Sequence, residues 1–217
     1  MTTSSEVIRG WKESADLRQT SEPSLIDTKK RVKPEWLKKW LRLENRHPRI
    51  QKVEKEVGEF CRDVWESPGH GRLLVLYGDN GTGKTHCAKA VHRWIGHVGH
   101  TKQWVEQTGV ISSLKSLLWF WPEFLDALKN GQWDITADCL ATPVLILDEV
   151  GGDHDPSKVG ADKLCQILSR RENRWTLLTT NVKPEAWAER FDERIASRLA
   201  RNSRIVNLEG VPDFYAS

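Results

Sequence analysis

The chain has no two cysteines close together: Cys61, Cys87, Cys139 and Cys165 are its only four. The missing C-x-x-C spacing excludes a zinc module of that pattern, and nothing suggests a disulfide framework. This cysteine usage fits a reducing, cytoplasmic setting. No apolar run approaches the ~18 residues a membrane span requires, so no membrane association is expected. Met1 to Glu6 is polar and uncharged until its end, unlike a signal peptide. Internal repeats are absent. Neither sign of charge dominates: 33 basic residues face 30 acidic ones, for a net charge of +3. That is too mild to imply nucleic-acid binding by itself, although a local basic face is compatible with it. At 217 residues the chain suits one α/β domain plus an appendage, and it can bury a core without staples. Tryptophan is abundant, at 11 residues, and most are expected as core or half-buried anchors.

What is present is concentrated in one segment. The apolar run Leu73-Leu74-Val75-Leu76-Tyr77 leads directly into Gly78-Asp79-Asn80-Gly81-Thr82-Gly83-Lys84-Thr85. This is G-x-x-x-x-G-K-T after a buried strand, the context that makes the pattern a phosphate-binding loop. Glycines let backbone amides face phosphate oxygens where a Cβ would hinder them. A helix beginning near Gly83 adds its positive dipole end. Lys84 is expected to reach the β- and γ-phosphates of ATP, and the Thr85 hydroxyl to hold Mg2+. The alternative is a glycine-rich strand-to-helix turn that happens to contain Lys-Thr; the flanking strand and helix argue against it.

A second apolar run, Val144-Leu145-Ile146-Leu147, ends in Asp148-Glu149. Sites in parallel sheets open at the carboxyl ends of strands, so these acids should face the phosphate loop. Asp148 is the candidate Mg2+ ligand and Glu149 the candidate general base for an attacking water. Alone, such a pair would be an ordinary turn. Thr179-Thr180-Asn181 ends a further strand, Trp175–Thr180, and Asn181 is a candidate to orient that water, or else a polar strand end. Arg194 and Arg198 lie four apart on one helix face. An arginine given in trans stabilises charge on a transferring phosphoryl group; the bland reading is a salt-bridged surface helix beside Asp192 and Glu193.

The remainder alternates strands and helices, which predicts a parallel sheet covered on both faces. Residues 1–49 read as a polar N-terminal arm, and 50–217 as the main domain. Within the arm, the pattern of 34–41 predicts a short amphipathic helix with Trp36, Leu37, Trp40 and Leu41 on one face. That face either packs on the main domain or docks a partner. The sequence predicts helices over 50–66, 84–96, 122–129, 161–171 and 184–201, and strands over 72–77, 117–120 and 205–208. Residues 97–114 are ambiguous. Lys102, Lys115, Lys129, Lys158 and Lys163, with Trp104, Trp119 and Trp121, are candidates for a DNA surface; solvated lysines and core tryptophans are the favoured reading.

The phosphate loop, Leu-Asp-Glu at 147–149, Thr-Thr-Asn at 179–181 and Glu-Arg-Ile-Ala-Ser-Arg-Leu at 193–199, in this order, resemble the AAA+ ATPases of the DnaC and DnaI helicase-loader group and the transposition ATPase IstB. The resemblance covers about residues 50 to 210. It implies an ASCE-type P-loop fold, ATP and Mg2+ binding, contact with single-stranded DNA, and action on a hexameric replicative helicase. Carried over by position, Asn181 is similar to sensor 1 and Arg198 to the arginine finger, with Arg194 second; such a finger implies self-association or a partner. The end at Ser217 leaves no room for the helical lid of other AAA+ proteins, as in the loader group. An IstB-like regulator binding duplex DNA and a transposase, or a nucleotide-gated adaptor with little turnover, are the alternatives.

Overall fold

Five short strands, apolar at their middles, build the centre. They are β1 (Leu73–Tyr77), β4 (Ser116–Phe120), β5 (Val144–Asp148), β6 (Trp175–Thr180) and β7 (Ser203–Asn207). Their order across the sheet is β4-β5-β6-β1-β7, and every neighbouring pair is parallel. In this computed structural model the described residues are 48–212, less 68, 100–103, 107–108, 112–113, 153–158 and 202; of 104–106 and 109–111 the backbone alone is described. The expected arm up to residue 47, including the helix over 34–41, lies outside the described residues.

Burial on both faces explains why β5 reads as an apolar run up to Asp148; all residues of β5 and β6 are buried, the threonines of β6 included. Successive side chains alternate. Val75, Leu145, Leu147 and Leu178 enter one core layer. It is completed by α3 (Trp121–Lys129), α4 (Ile135–Ala141), α5 (Val159–Arg170), α6 (Trp187–Arg190) and α7 (Glu193–Arg201). Leu74, Leu76, Ile146 and Leu177, equally buried, point to the other face. There α2 (Lys84–Val98) packs on the sheet and α1 (Pro48–Glu66) packs on α2 and β7. In α1 the helical stripe Ile50, Val53, Val57, Phe60 and Val64 is buried, as its spacing predicts.

Three expectations change in detail. The ambiguous stretch contains a two-stranded antiparallel hairpin, β2 (Trp104–Glu106) with β3 (Gly109–Ile111). The helix expected over 184–201 is three pieces: a 3-10 turn at Pro184–Ala186, then α6, then α7. The break falls at Phe191-Asp192, where the Asp192 carboxylate accepts the Ile195 N–H at 2.9 Å and caps α7. The last strand begins two residues earlier than expected because Ser203 and Arg204 pair with Leu73 and Leu74.

The amino-terminal edge of the sheet is tied by two buried groups. Trp175 stands edge-on to Phe60, with centroids 5.3 Å apart, and its indole N–H donates to the Ser67 carbonyl at 3.0 Å. Arg171, just beyond α5, is buried. Its guanidinium donates to the carbonyls of Cys139 (2.7 Å), Thr142 (2.8 Å) and Trp175 (2.8 Å) and to the Thr176 hydroxyl (3.1 Å). Burial, with Arg174 adding to it, pushes its pKa down to about 10, yet it stays charged at neutral pH. Substituting Arg171→Met keeps the apolar stem and strands these acceptors, each lost partner costing about 1–3 kcal/mol. Urea unfolding should show a stability loss of about 3 kcal/mol or more; an unchanged midpoint would remove this role.

Candidate functional site

The strand order puts β6 between β1 and β5. The loop after β1 and the acids ending β5 are therefore separated by one strand, whose own end carries Thr179, Thr180 and Asn181. All three ends open on the same edge of the sheet.

The loop after β1 closes on Lys84. Gly81 and Gly83 have φ of 75° and 90°, a left-handed region that glycine alone adopts without strain. Gly83 precedes α2, whose first backbone bond runs from the Cys87 N–H to the Gly83 carbonyl at 3.0 Å. Lys84, buried, donates through Nζ to the carbonyls of Gly78 (2.8 Å) and Asp79 (2.6 Å). The Thr82 hydroxyl also donates to the Asp79 carbonyl at 2.8 Å. Burial lowers the Lys84 pKa from its ordinary value, while Asp79, Glu149 and Asp148 pull the other way.

Asp148 is almost completely buried, and its Oδ1 accepts from the hydroxyls of Thr179 at 2.6 Å and Thr85 at 3.2 Å. Thr85 and Asp148, expected from the sequence to hold Mg2+, thus meet as a set of hard oxygen donors. This suits an ion that keeps most of its waters and takes one or two protein oxygens. No cluster of three or more His, Cys, Asp or Glu placed to hold a metal occurs among the described residues, which the same chemistry does not require. Glu149 follows with φ of 62°, the one non-glycine residue with positive φ among those described. Such a conformation costs roughly 1–2 kcal/mol. Its N–H donates to the Thr179 hydroxyl at 2.8 Å, and the Val150 N–H donates to the Thr179 carbonyl at 2.9 Å.

Asn181 reaches the phosphate loop directly: its Nδ2 donates to Oδ1 of Asn80 at 2.8 Å. Gly78, Asp79, Asn80, Gly81, Thr82, Gly83, Lys84, Thr85, Asp148, Glu149 and Asn181 are thereby gathered at one edge. Arg194 and Arg198 are not. Arg194 is exposed and pairs with Asp192 at 2.7 Å and Asp162 at 3.2 Å, the salt-bridged arrangement weighed for it from sequence. Arg198 donates from Nε to the Ser169 hydroxyl at 2.8 Å and lies with Leu73 and Thr176, near the amino-terminal ends of β1 and β6.

Of the DNA candidates, the two tryptophans among the described residues pack against Phe124. Trp121 is buried and stacks on Phe124 with centroids 5.0 Å apart; Trp119 meets the same ring edge-on at 5.7 Å. Lys129 pairs with Asp126, and Lys163 lies over the Trp133 ring. Lys102, Lys158 and the Trp104 side chain lie outside the described residues. Sequence reading missed Thr179 as an individual. The available signal was a pair of threonines in a wholly buried strand, where each hydroxyl requires a partner.

A parallel sheet with β6 between the phosphate-loop strand and the acid-bearing strand, and helices on both faces, defines an AAA+ P-loop fold. The chain belongs to the IstB-like ATP-binding protein family, whose sequence profile matches residues 70–211. No curated protein matches it in sequence. Among solved structures, the DnaC helicase loader superposes with a TM-score of 0.61 at 19% identity, over 77% of this chain and 94% of that one. DnaI gives 0.60 at 21%, over 78% and 93%. AMPPCP-bound DnaA from Aquifex aeolicus gives 0.59 at 16%, over 78% of this chain but only 50% of that one. At these identities the likeness establishes the fold. No helix among the described residues is long and apolar enough to cross a membrane.

Replacing Glu149 by glycine should relieve the backbone strain and raise stability by about 1 kcal/mol, seen as a higher melting temperature; a lower one would contradict the strain. Lys84→Ala should abolish binding of a fluorescent ATP analogue while the protein stays folded by circular dichroism.

Proposed function

We propose that this protein binds ATP with Mg2+ and hydrolyses it, and uses that cycle to load a hexameric replicative helicase onto single-stranded DNA. The observation that carries the ATPase reading is the meeting of Lys84, Thr85, Asp148, Glu149 and Asn181 where three parallel strands end.

In this reading the backbone amides of 78–85 and the Lys84 ammonium bind the phosphates, with Lys84 leaving its loop carbonyls for phosphate oxygens. Thr85 and Asp148 hold Mg2+, which neutralises phosphate charge when bound. Glu149 accepts the proton of the attacking water, and Asn181 exchanges Asn80 for that water or the γ-phosphate. Arg198, with Arg194 second, serves the nucleotide of a neighbouring copy. Its position away from its own phosphate loop supports action in trans, and hence self-association. The loader role is supported by the fold likeness to the DnaC and DnaI structures, which covers most of each of those chains. The family match favours a second reading, a transposition regulator that binds duplex DNA and recruits a transposase. Residues 1–49 are the partner-docking segment in either case.

Steady-state hydrolysis should be stimulated by single-stranded DNA. Glu149→Gln should lower it by about 100-fold or more while ATP stays bound. Arg198→Ala should spare binding and slow turnover at least tenfold, about the low end for a finger. A hexameric helicase should co-purify. Stimulation by duplex instead, with DNA bending, would move the role to the transposition reading. ATP binding without turnover under every condition would leave a nucleotide-gated adaptor.

A further inference from the structure

The hydroxyl of Thr179 sits where the phosphate-side and acid-side halves of the site meet, and its hydrogen bonding has one solution. The Glu149 N–H can only donate, so the Thr179 oxygen accepts it at 2.8 Å. The single hydroxyl proton must then go elsewhere, and Asp148 Oδ1 at 2.6 Å takes it. The Val150 N–H on the Thr179 carbonyl, at 2.9 Å, closes the same turn from the backbone. The turn so held contains the left-handed Glu149. A strained residue of this kind persists only where its surroundings over-determine it, and three of those constraints come from Thr179.

We propose that Thr179 is a positioning residue for the hydrolysis inferred above, its hydroxyl holding Asp148 and the strained Glu149 turn in register through one donated and one accepted hydrogen bond. This rests on the ATPase reading. It extends that reading by giving the acid pair a keeper on the neighbouring strand, two residues before Asn181. Because β6 also accepts the Gly78 N–H through the Thr180 carbonyl at 3.3 Å, one strand end ties both halves. A shift of β6 that moved Asn181 would move the base with it.

The test compares Thr179→Val, which removes the hydroxyl at nearly constant shape, with Thr179→Ser, which keeps it. Misplacing a catalytic group by about 1 Å costs roughly 10²-fold. Thr179→Val should therefore lose about 30-fold or more in kcat at saturating Mg2+, with KM for ATP within about threefold, since the phosphate loop is untouched. Thr179→Ser should stay within about threefold of wild type. A variant that merely unfolded would lose ATP-analogue binding together with kcat, which separates a structural role from a positioning one. Thr179→Val retaining kcat within threefold, or Thr179→Ser falling as far as Thr179→Val, would overturn the proposal.

A second arm does not depend on turnover. The Mg2+ concentration giving half-maximal binding of a fluorescent ATP analogue should rise about fivefold in Thr179→Val, because Asp148 loses a donor that orients it, and not in Thr179→Ser. If wild type bound ATP but never hydrolysed it, the ATPase reading would fail while this arm still judged Thr179. An unchanged Mg2+ requirement in Thr179→Val would then overturn its role.

Discussion

The Asp148 carboxylate, buried between the hydroxyls of Thr85 and Thr179, is the contact on which the arrangement depends. It joins the first turn of α2, the end of β5 and the end of β6 through one oxygen. Those three elements are brought side by side only because β6 is inserted between β1 and β5. Parallel pairing of β6 to both neighbours sets the depth of each strand end. Given that register, the phosphate loop, the acid pair and Asn181 open on a common edge. An isolated buried carboxylate would be costly; here its Oδ1 takes two hydroxyl donors, and the Lys84 ammonium interacts with it only at longer range. Such a carboxylate remains available to a cation.

The two edges of the sheet spend their polar groups differently. At the amino-terminal edge, Arg171 is fully engaged by carbonyls and a hydroxyl, and Trp175 locks α1 to the sheet. These contacts satisfy every partner and leave nothing to react, the pattern of a stabilising buried network. At the carboxyl edge, Glu149 is held in a disfavoured backbone region, and two asparagines, Asn80 and Asn181, bond to each other across the opening. Strain and exchangeable polar contacts gather where chemistry is expected, in line with their usual place in proteins. The four cysteine thiols take no part in either set of contacts described above. All are buried and unpaired, packed as small apolar side chains, and burial pushes the Cys87 and Cys139 thiols up to about 12.

Much of this was legible in the residues, for identifiable reasons. β1 and β5 are apolar runs too short for helices and bounded by turn residues, and β6 is a short stretch rich in β-formers, so their type was readable. The phosphate loop announces itself because backbone geometry demands glycines at fixed places. Asp148, Glu149 and Asn181 were found by their position after such strands. The hairpin at 104–111 was not read because three-residue strands carry too little periodicity. α4, seven residues long, was missed for the same reason. The break before α7 escaped because a helical stripe continues across it, although Asp192 ahead of Glu193 is a readable cap. Thr179 escaped because its role is a three-dimensional meeting of β5 and β6, with no spacing rule of its own. Arg198 was placed on the right helix, but its hydrogen bond to Ser169 depends on how α7 packs on α5, which sequence does not encode locally.

The state of Lys84 bears on how nucleotide binding would be driven. Its ammonium already donates to the Gly78 and Asp79 carbonyls, and Asn181 already donates to Asn80. Phosphate would therefore exchange hydrogen bonds more than create them, so the number of hydrogen bonds by itself contributes little net free energy. What changes is charge. Burial disfavours the Lys84 ammonium, and a phosphate oxygen offers it an anionic partner in place of neutral carbonyls. The same anion meets the amino-terminal end of α2, where the helix dipole is favourable. Selection at this loop would consequently be electrostatic: its polar groups satisfy one another, and a polyphosphate would displace those contacts because it brings the negative charge that the loop carbonyls lack.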